Sequence, residues 1–340
     1  MKQIFITQEE SGQRLDKLLS RYMGQAPKSF LYKMLRKKNI TLNGKKAEGK
    51  EILRPGDLVK LFLSDETWDK FGGIPAEAAD SLCVSAKSPV PAFPEVPVLV
   101  PGVRPPTIVY QDGQILLFNK PSGMLSQKAG ADDVSLMEYL KAYLLSSGAL
   151  TEEQMRLVRP SICNRLDRNT SGLVAAGVSL VGLQTLNRLF KERSVRKHYR
   201  CIVCGSMSGD GCLRGFLKKN TRTNLVTIST SASEDAKPIE TAYRVLLSEG
   251  ELSLLEVHLI TGRSHQIRAH LASIGHPVLG DPKYGDPALN RRFAHFHGVH
   301  SQLLHAYRLE FPQVDGRLSY LSGRCFSAPE PELFEQLLNG

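Results

Sequence analysis

Cysteine is scarce in this chain, with six among 340 residues. That density is far below a disulfide-stapled secreted scaffold, so the cysteines read as reduced thiols and the chain as a cytoplasmic protein. Long apolar runs are missing too. Nothing approaches the roughly 18 consecutive apolar residues of a membrane-spanning helix, and the opening Met1-Lys2-Gln3-Ile4-Phe5-Ile6 lacks the apolar core of a secretory signal. No internal repeat of about 20 to 50 residues is present, which argues against a solenoid or propeller. Acids are in deficit, 34 against 44 lysines and arginines, a net +10. That balance favours an anionic partner, nucleic acid or an acidic membrane face, and carries no chemistry by itself.

What is present is ordinary for a globular protein. Hydrophobic residues are 41% and charged residues 23%, which excludes a disordered or collagen-like chain. A length of 340 residues predicts two domains. The charge is unevenly divided between them. Residues 1–63 hold 14 bases and 6 acids, residues 64–107 hold 3 and 6, and residues 108–340 hold 27 and 22. Most of the excess therefore lies in the first 63 residues.

Periodicity sketches the elements. Leu15, Leu18, Leu19 and Tyr22 fit one face of a short helix over 12–23. A second helix should follow an N-cap at Ser29, with Leu31, Met34 and Leu35 inward and Lys33, Arg36, Lys37 and Lys38 outward. Ile40-Thr41-Leu42-Asn43-Gly44-Lys45 reads as a strand entering an Asn-Gly hairpin turn, and Pro55-Gly56-Asp57 as a turn before a strand over 58–63. Eight prolines in 64–107 predict a semi-rigid linker. Beyond it, strands are expected over 115–118, 173–178, 197–204, 241–247 and 252–260. Ser179 should cap a helix with Leu183, Leu186 and Phe190 on one face. A last helix over 265–274 should bury Ile267, Leu271 and Ile274 and stop at Gly275. Strands outnumber helices without βαβ alternation, so the fold class is α+β with a mixed, largely antiparallel sheet.

The densest polar segment is Asn164-Arg165-Leu166-Asp167-Arg168-Asn169-Thr170-Ser171-Gly172-Leu173, which leads straight into an apolar strand. Its lone acid lies between two arginines, and opposite charge favours an ionised carboxylate, better suited to a nucleophile than to a general acid. Chemistry alone equally allows Asp167 to cap a turn or pair with Arg168. Eight of nine histidines fall between 258 and 305, and His295, His297 and His300 invite a metal reading. His265 and His270 point about 140° apart on a helix, poor geometry for shared ligation. Cys201 and Cys204 fall on opposite faces of a strand, without a second CxxC. We expect no metal. A hydrolase built on Ser171 or Ser264 with His265 lacks a G-x-S-x-G elbow.

Two resemblances organise these pieces. Arg14-Leu15-Asp16-Lys17, the basic second helix, Leu42-Asn43-Gly44-Lys45 and Pro55-Gly56-Asp57 resemble the S4 RNA-binding domain over about 60 residues. This implies RNA contact by Arg14, Lys17, Lys28, Lys33, Arg36, Lys37, Lys38 and Lys45, where the bland alternative is a solvated face. The Arg165-Leu166-Asp167-Arg168 segment resembles the catalytic motif of the RluA-type pseudouridine synthases. Lys120-Pro121-Ser122-Gly123, Lys197-His198-Tyr199, Thr241-Ala242-Tyr243, Thr261 to Leu271, Gly280-Asp281, Tyr284-Gly285 and Leu304-His305-Ala306 fit further blocks in the family's order, across about 200 residues.

The resemblance implies domains at 1–63 (S4-like) and 108–340 (synthase) joined by the 64–107 linker. It implies isomerisation of uridine in RNA to pseudouridine without a cofactor. Asp167 would be the catalytic carboxylate, Tyr199 the aromatic under the uracil that could also serve as a base, and Arg268 the ion-pair partner of Asp167. Arg165 would enter the RNA stack where the target base leaves. Both attack on the ribose and formation of a glycal intermediate use such a carboxylate. Ribosomal RNA of the large subunit, or that subunit during assembly, is the expected partner. A tRNA substrate and a non-catalytic RNA-binding assembly factor are the alternatives. Asn164 stands where many members have histidine; it keeps hydrogen-bonding capacity without titrating near neutral pH.

Overall fold

The computed structural model describes residues 2–6, 10–71, 100–220 and 222–338. Its N-terminal part runs β1 (Lys2–Phe5), α1 (Leu15–Tyr22), α2 (Lys28–Arg36), β2 (Ile40–Leu42), β3 (Lys45–Lys46), β4 (Leu58–Leu61) and α3 (Asp65–Phe71). The strands form an antiparallel sheet in the order β1-β4-β2-β3. Leu15, Leu18, Leu19 and Tyr22 of α1 are all buried against it, as their spacing requires. Asn43 and Gly44 turn the β2–β3 hairpin with φ of 50° and 74°, the paired left-handed conformation that selects Asn-Gly.

Two expectations shift here. α2 starts at Lys28 with Pro27, not Ser29, at its cap, because the Pro27 carbonyl already accepts from Phe30 and Leu31. α3 falls within the span read as linker. Trp68 is buried in the N-terminal core and Phe71 packs against it, so this packed unit runs to residue 71. Most of the proline-rich segment, 72–99, lies outside the described residues.

The larger part continues with β5 (Thr107–Gln111), β6 (Ile115–Lys120), α4 (Leu136–Ser146), α5 (Glu152–Val158), β7 (Ser161–Ile162), β8 (Ser171–Gly177) and α6 (Leu180–Lys191). Then come β9 (Arg196–Cys204), β10 (Gly211–Asn220), β11 (Leu225–Ser229), β12 (Lys237–Glu249), β13 (Leu252–Leu259) and α7 (Gln266–Ser273). It closes with α8 (Pro287–His297), β14 (Leu304–Glu310), a 3-10 turn (Gly316–Leu321), β15 (Cys325–Ser327) and α9 (Glu332–Leu338). One sheet of 11 strands runs β11-β10-β12-β13-β9-β14-β8-β6-β5, with β15 on β14 and β7 on β8. Among the strands of the described residues only β14 and β8 pair in parallel, so the domain is α+β with a mostly antiparallel sheet.

Alternation sorts the side chains to two faces. From β6 and β8, Leu116, Phe118, Val174 and Ala176 join α4 in one core, while Ile115, Leu117, Leu173 and Ala175 join Leu186 and Leu189 of α6 in another. Cys201 and Cys204 go to opposite faces as expected. α6 is capped by Ser179, yet it buries Leu186 and Leu189; Leu183 and Phe190 are only half-buried. Ile274 caps α7 and is exposed, since the helix has already ended there. No helix among the described residues is long and apolar enough to cross a membrane.

Candidate active site

The loop between β7 and β8 is pinned from several sides. The Asn164 amide donates to Leu173 O at 3.2 Å and accepts from Ala175 N at 2.8 Å, splicing the loop onto β8. Both ends of an amide are needed at once, so asparagine suits this position. Leu166 is buried, and Ser126 Oγ both accepts from its N–H at 3.0 Å and donates to its carbonyl at 2.8 Å. Gly172 has a φ of 109°, and a Cβ there would sit 2.2 Å from Ala306 O, so only glycine lets β8 approach β14 behind the loop.

Beneath the loop, Lys120 is fully buried at the end of β6. Its Nζ donates to Pro121 O, Met124 O and Arg168 O at 2.9, 2.8 and 3.0 Å. Burial pushes this ammonium down to about 7 against the pull of the Asp167 charge. Satisfying three carbonyls from one nitrogen ties the turn after β6 to the loop that leads into β8.

Arg268 rises from α7 into the same place. It is 3% exposed; its Nε and Nη2 donate to Asp281 at 2.6 and 2.8 Å, and its Nη1 donates to Asp167 Oδ2 at 2.9 Å. The bidentate clamp on the fully buried Asp281 offsets the desolvation of the guanidinium and leaves one N–H aimed at Asp167. Asp281 Oδ1 also takes the backbone N–H of Lys283 and Tyr284, so the far end of the clamp is itself fixed. The arginines beside Asp167 in sequence do not pair with it. Arg165 reaches Gln127 at 3.5 Å and Arg168 faces Asp133 at 3.8 Å.

Asp167, half-buried, opens on a cleft of about 900 Å³. Tyr199 of β9 lines it together with Phe190, Leu259 and Ile267, while Arg165, Lys197, Lys219, Arg263 and Lys283 make its border cationic. Burial and the nearby Asp167 charge push the Tyr199 phenol above its ordinary range. It is thus a neutral ring with a hydroxyl, an apolar platform for a flat uncharged group rather than a ready base. The arrangement can hold a planar heterocycle against Tyr199, present a paired carboxylate to it, and attract a polyanion around the rim.

Asp167, Tyr199, Arg268 and Arg165 are therefore together, whereas the basic residues of the N-terminal part contribute nothing to the cleft lining. Lys17, Lys28, Lys33, Arg36, Lys37, Lys38 and Lys45 are exposed on their own domain. Arg14 is half-exposed and held by Asp16 at 2.7 Å, which also accepts from Tyr32 Oη. In the sequence Asp281 and Lys120 stand only as members of the family-like blocks, with no role attached to either. A buried arginine needs a second acid once its first partner opens on solvent, and that requirement points to Asp281.

The rival constellations come apart. Ser171 Oγ lies 2.8 Å from His305 Nδ1, not near His265, and this pair is buried, with burial lowering His305 to about 4. His265 turns toward Tyr284 and His270 toward Thr241. His295 and His297 end α8, where Asp286 and Pro287 start the helix and Gly298 stops it.

Comparisons with known proteins bear on the family and the fold. A family model described as RNA pseudouridylate synthase matches residues 114–273, and one described as S4 domain matches residues 13–59. The chain is 29% identical over 309 residues to the ribosomal large subunit pseudouridine synthase C of Vibrio cholerae, covering 91% of this chain and 88% of the relative. It is 29% identical over 318 residues to the protein of that name from Escherichia coli, covering 92% and 88%. In fold it is similar to human RNA pseudouridylate synthase domain containing 4, with a TM-score of 0.55, 23% identity, and coverage of 68% of this chain and 91% of that one.

Proposed function

This chain belongs to the RNA pseudouridylate synthase family and carries an S4 domain ahead of the synthase domain; from that premise we propose that its substrate is large-subunit ribosomal RNA and that Asp167 is its catalytic carboxylate. As a pseudouridine synthase it is an isomerase. The C1′–N1 bond of a uridine breaks, the uracil turns in place, and C5 bonds to C1′; the hydrogen lost from C5 is matched by one gained at N1.

The observation that carries the assignment is Arg268 bridging Asp281 and Asp167 on the floor of the cleft. Held so, the Asp167 carboxylate acts at the ribose carbon while the guanidinium steadies its charge away from bulk water. Tyr199, as a neutral phenol, stacks on the uracil during its turn. Arg165 stands exposed on the rim, with Leu166 beside it buried, and fills the gap in the RNA stack left by the extruded base. Flipping costs a few kcal/mol, which such a filler partly offsets. Ribosomal RNA is favoured because the relatives matching nine-tenths of the chain carry that substrate in their names. The exposed basic face of α2 supplies a second handle on a large folded RNA.

Two measurements test this. With RNA tritiated at uracil C5, Asp167→Asn should reduce label release by about a thousandfold or more. Release at the wild-type rate would remove Asp167 from the chemistry. Pseudouridine mapping of total RNA from cells with and without the gene should show a site lost from large-subunit ribosomal RNA. A loss confined to tRNA would replace the substrate assignment.

A further inference from the structure

We propose that His265 is a positioning residue for Asp167: held by Tyr284 in the tautomer with hydrogen on Nε2, it supplies the second donor that turns the carboxylate toward the ribose. The inference rests on the assignment of Asp167 above.

His265 sits at the N-cap of α7 with φ 55° and ψ 13°, left-handed backbone that is strained for a non-glycine residue. Its side chain makes no cap hydrogen bond, so helix capping does not account for the strain. The conformation instead puts the ring into the cleft wall. Nδ1 lies 2.9 Å from Tyr284 Oη and Nε2 lies 4.0 Å from Asp167 Oδ2. A strained residue whose ring joins two polar groups at a reaction site points to a job for the ring.

The hydrogen positions follow from the partners. Tyr284 Oη accepts the backbone N–H of Val226 at 2.9 Å, and among the described residues His265 Nδ1 is the acceptor within reach of its own hydrogen. An Nδ1 that accepts leaves the hydrogen of the neutral ring on Nε2, the nitrogen nearest Asp167. The ring is kept neutral by burial, with Arg268 and Lys283 acting in the same direction and Asp167 and Asp281 against it. A separation of 4.0 Å is beyond a hydrogen bond, and contacts of this kind tighten when substrate closes the site.

Arg268 cannot do this alone. Two of its nitrogens are committed to Asp281, and only Nη1 addresses Asp167, at Oδ2. His265 approaches the same Oδ2. Among the described residues no hydrogen bond reaches Oδ1, so Arg268 bonded to Oδ2 and His265 approaching the same oxygen leave Oδ1 for the substrate. The chain of contacts ends on Val226 of β11, beside the β10–β11 turn, where Lys219 and Asn224 line the cleft and Lys283 Nζ donates to Asn224 O at 3.1 Å.

The experiment compares His265→Ala and His265→Gln in the full-length protein. Both carry the same left-handed backbone cost, but the glutamine amide nitrogen can stand where Nε2 stands. In single-turnover tritium release from ribosomal RNA, His265→Ala should lose about 10- to 100-fold in rate with RNA affinity within twofold of wild type. His265→Gln should recover most of that loss, and the two should melt within a degree or two of each other. Tyr284→Phe should lose about fivefold or more in rate, because Nδ1 is then free to carry the hydrogen. A wild-type rate in His265→Ala, or no recovery in His265→Gln, overturns the proposal. Asp167→Asn runs alongside: if it stays active the assignment of Asp167 fails, whereas an inactive Asp167→Asn with a fully active His265→Ala refutes this inference alone.

Discussion

In the N-terminal domain Arg14 meets Asp16 at 2.7 Å with 41% and 21% of their side chains exposed, whereas in the synthase domain Arg268 meets Asp281 at 2.6 Å with 4% and 0% exposed. The contact is chemically the same, but water shares the first and is shut out of the second. A guanidinium that water can still solvate holds its partner loosely and remains available to a phosphate. One sealed against a buried acid has no alternative partner, so its remaining N–H can orient a third group. The same division holds for the domains as wholes. The excess charge of the N-terminal residues stands on exposed side chains, while the near-balanced synthase domain keeps decisive charges paired inside.

The largest effect should come from opening the sealed pair. Arg268→Met leaves Asp281 buried without its guanidinium and Asp167 without its donor, a loss of about 3 to 5 kcal/mol in folding stability by analogy with other broken buried pairs. Urea unfolding should show it, and label release should vanish in the fraction that remains folded. Arg14→Met, the matching change at the exposed pair, should shift the unfolding midpoint far less. Equal shifts would mean that burial is not what separates the two pairs.

Lys120 sharpens the comparison through pH. Its folded value of about 7 lies below the ordinary 10.5, so between those limits the unfolded chain binds more protons and stability rises with pH. Below about 7 the group is charged in both states and its contribution is flat. The stability difference between wild type and Lys120→Met should therefore widen in favour of wild type from pH 7 to 9, by about 1 kcal/mol per unit. At neutral pH the variant should already lose about 3 kcal/mol, because three carbonyls are left without a donor. The exposed lysines of α2, replaced by methionine one at a time, should show no such widening. A pH-independent difference at Lys120 would show that its three carbonyl acceptors, which suit the charged ammonium, outweigh its burial.

How legible each region was in the sequence follows the same physical division. The N-terminal elements are short, amphipathic and punctuated by Asn43-Gly44 and Pro55-Gly56, so periodicity and turn chemistry nearly suffice. The synthase domain hides more. α4 buries Leu136, Tyr139, Leu140, Tyr143 and Leu144 and is apolar around much of its girth, which blurs its period, although Ser135 and Glu138 mark its start. The β10–β11 hairpin alternates weakly because much of it is exposed. In the site, Asp167, Tyr199 and Arg268 came from motif resemblance, since Asp167 and Arg268 are 101 residues apart and no local rule links them. The flanking arginines, which local charge patterning favours, turn outward. Asp281 and His265 act through contacts that only the folded chain creates.

The smallest expected effect concerns the exposed charges. Lys33, Arg36 and Lys37 stand exposed on α2 or at its end, so replacing all three by glutamine preserves helix propensity and leaves the core untouched. If they face phosphates, the slope of log affinity against log salt should shrink in magnitude by about 2 to 3, at roughly 0.7 to 0.9 per lost contact. Affinity near physiological salt should fall about tenfold. Turnover at saturating RNA should not change, because none of the three reaches the cleft. That pattern is the converse of the one expected for His265→Ala, where rate falls and affinity holds. A drop in saturated turnover in the α2 variant would mean that the N-terminal domain helps to shape the cleft; an unchanged salt slope would mean that the basic face is only solvated surface. Both results together would dissolve the division between a domain that holds RNA and a domain that acts on it.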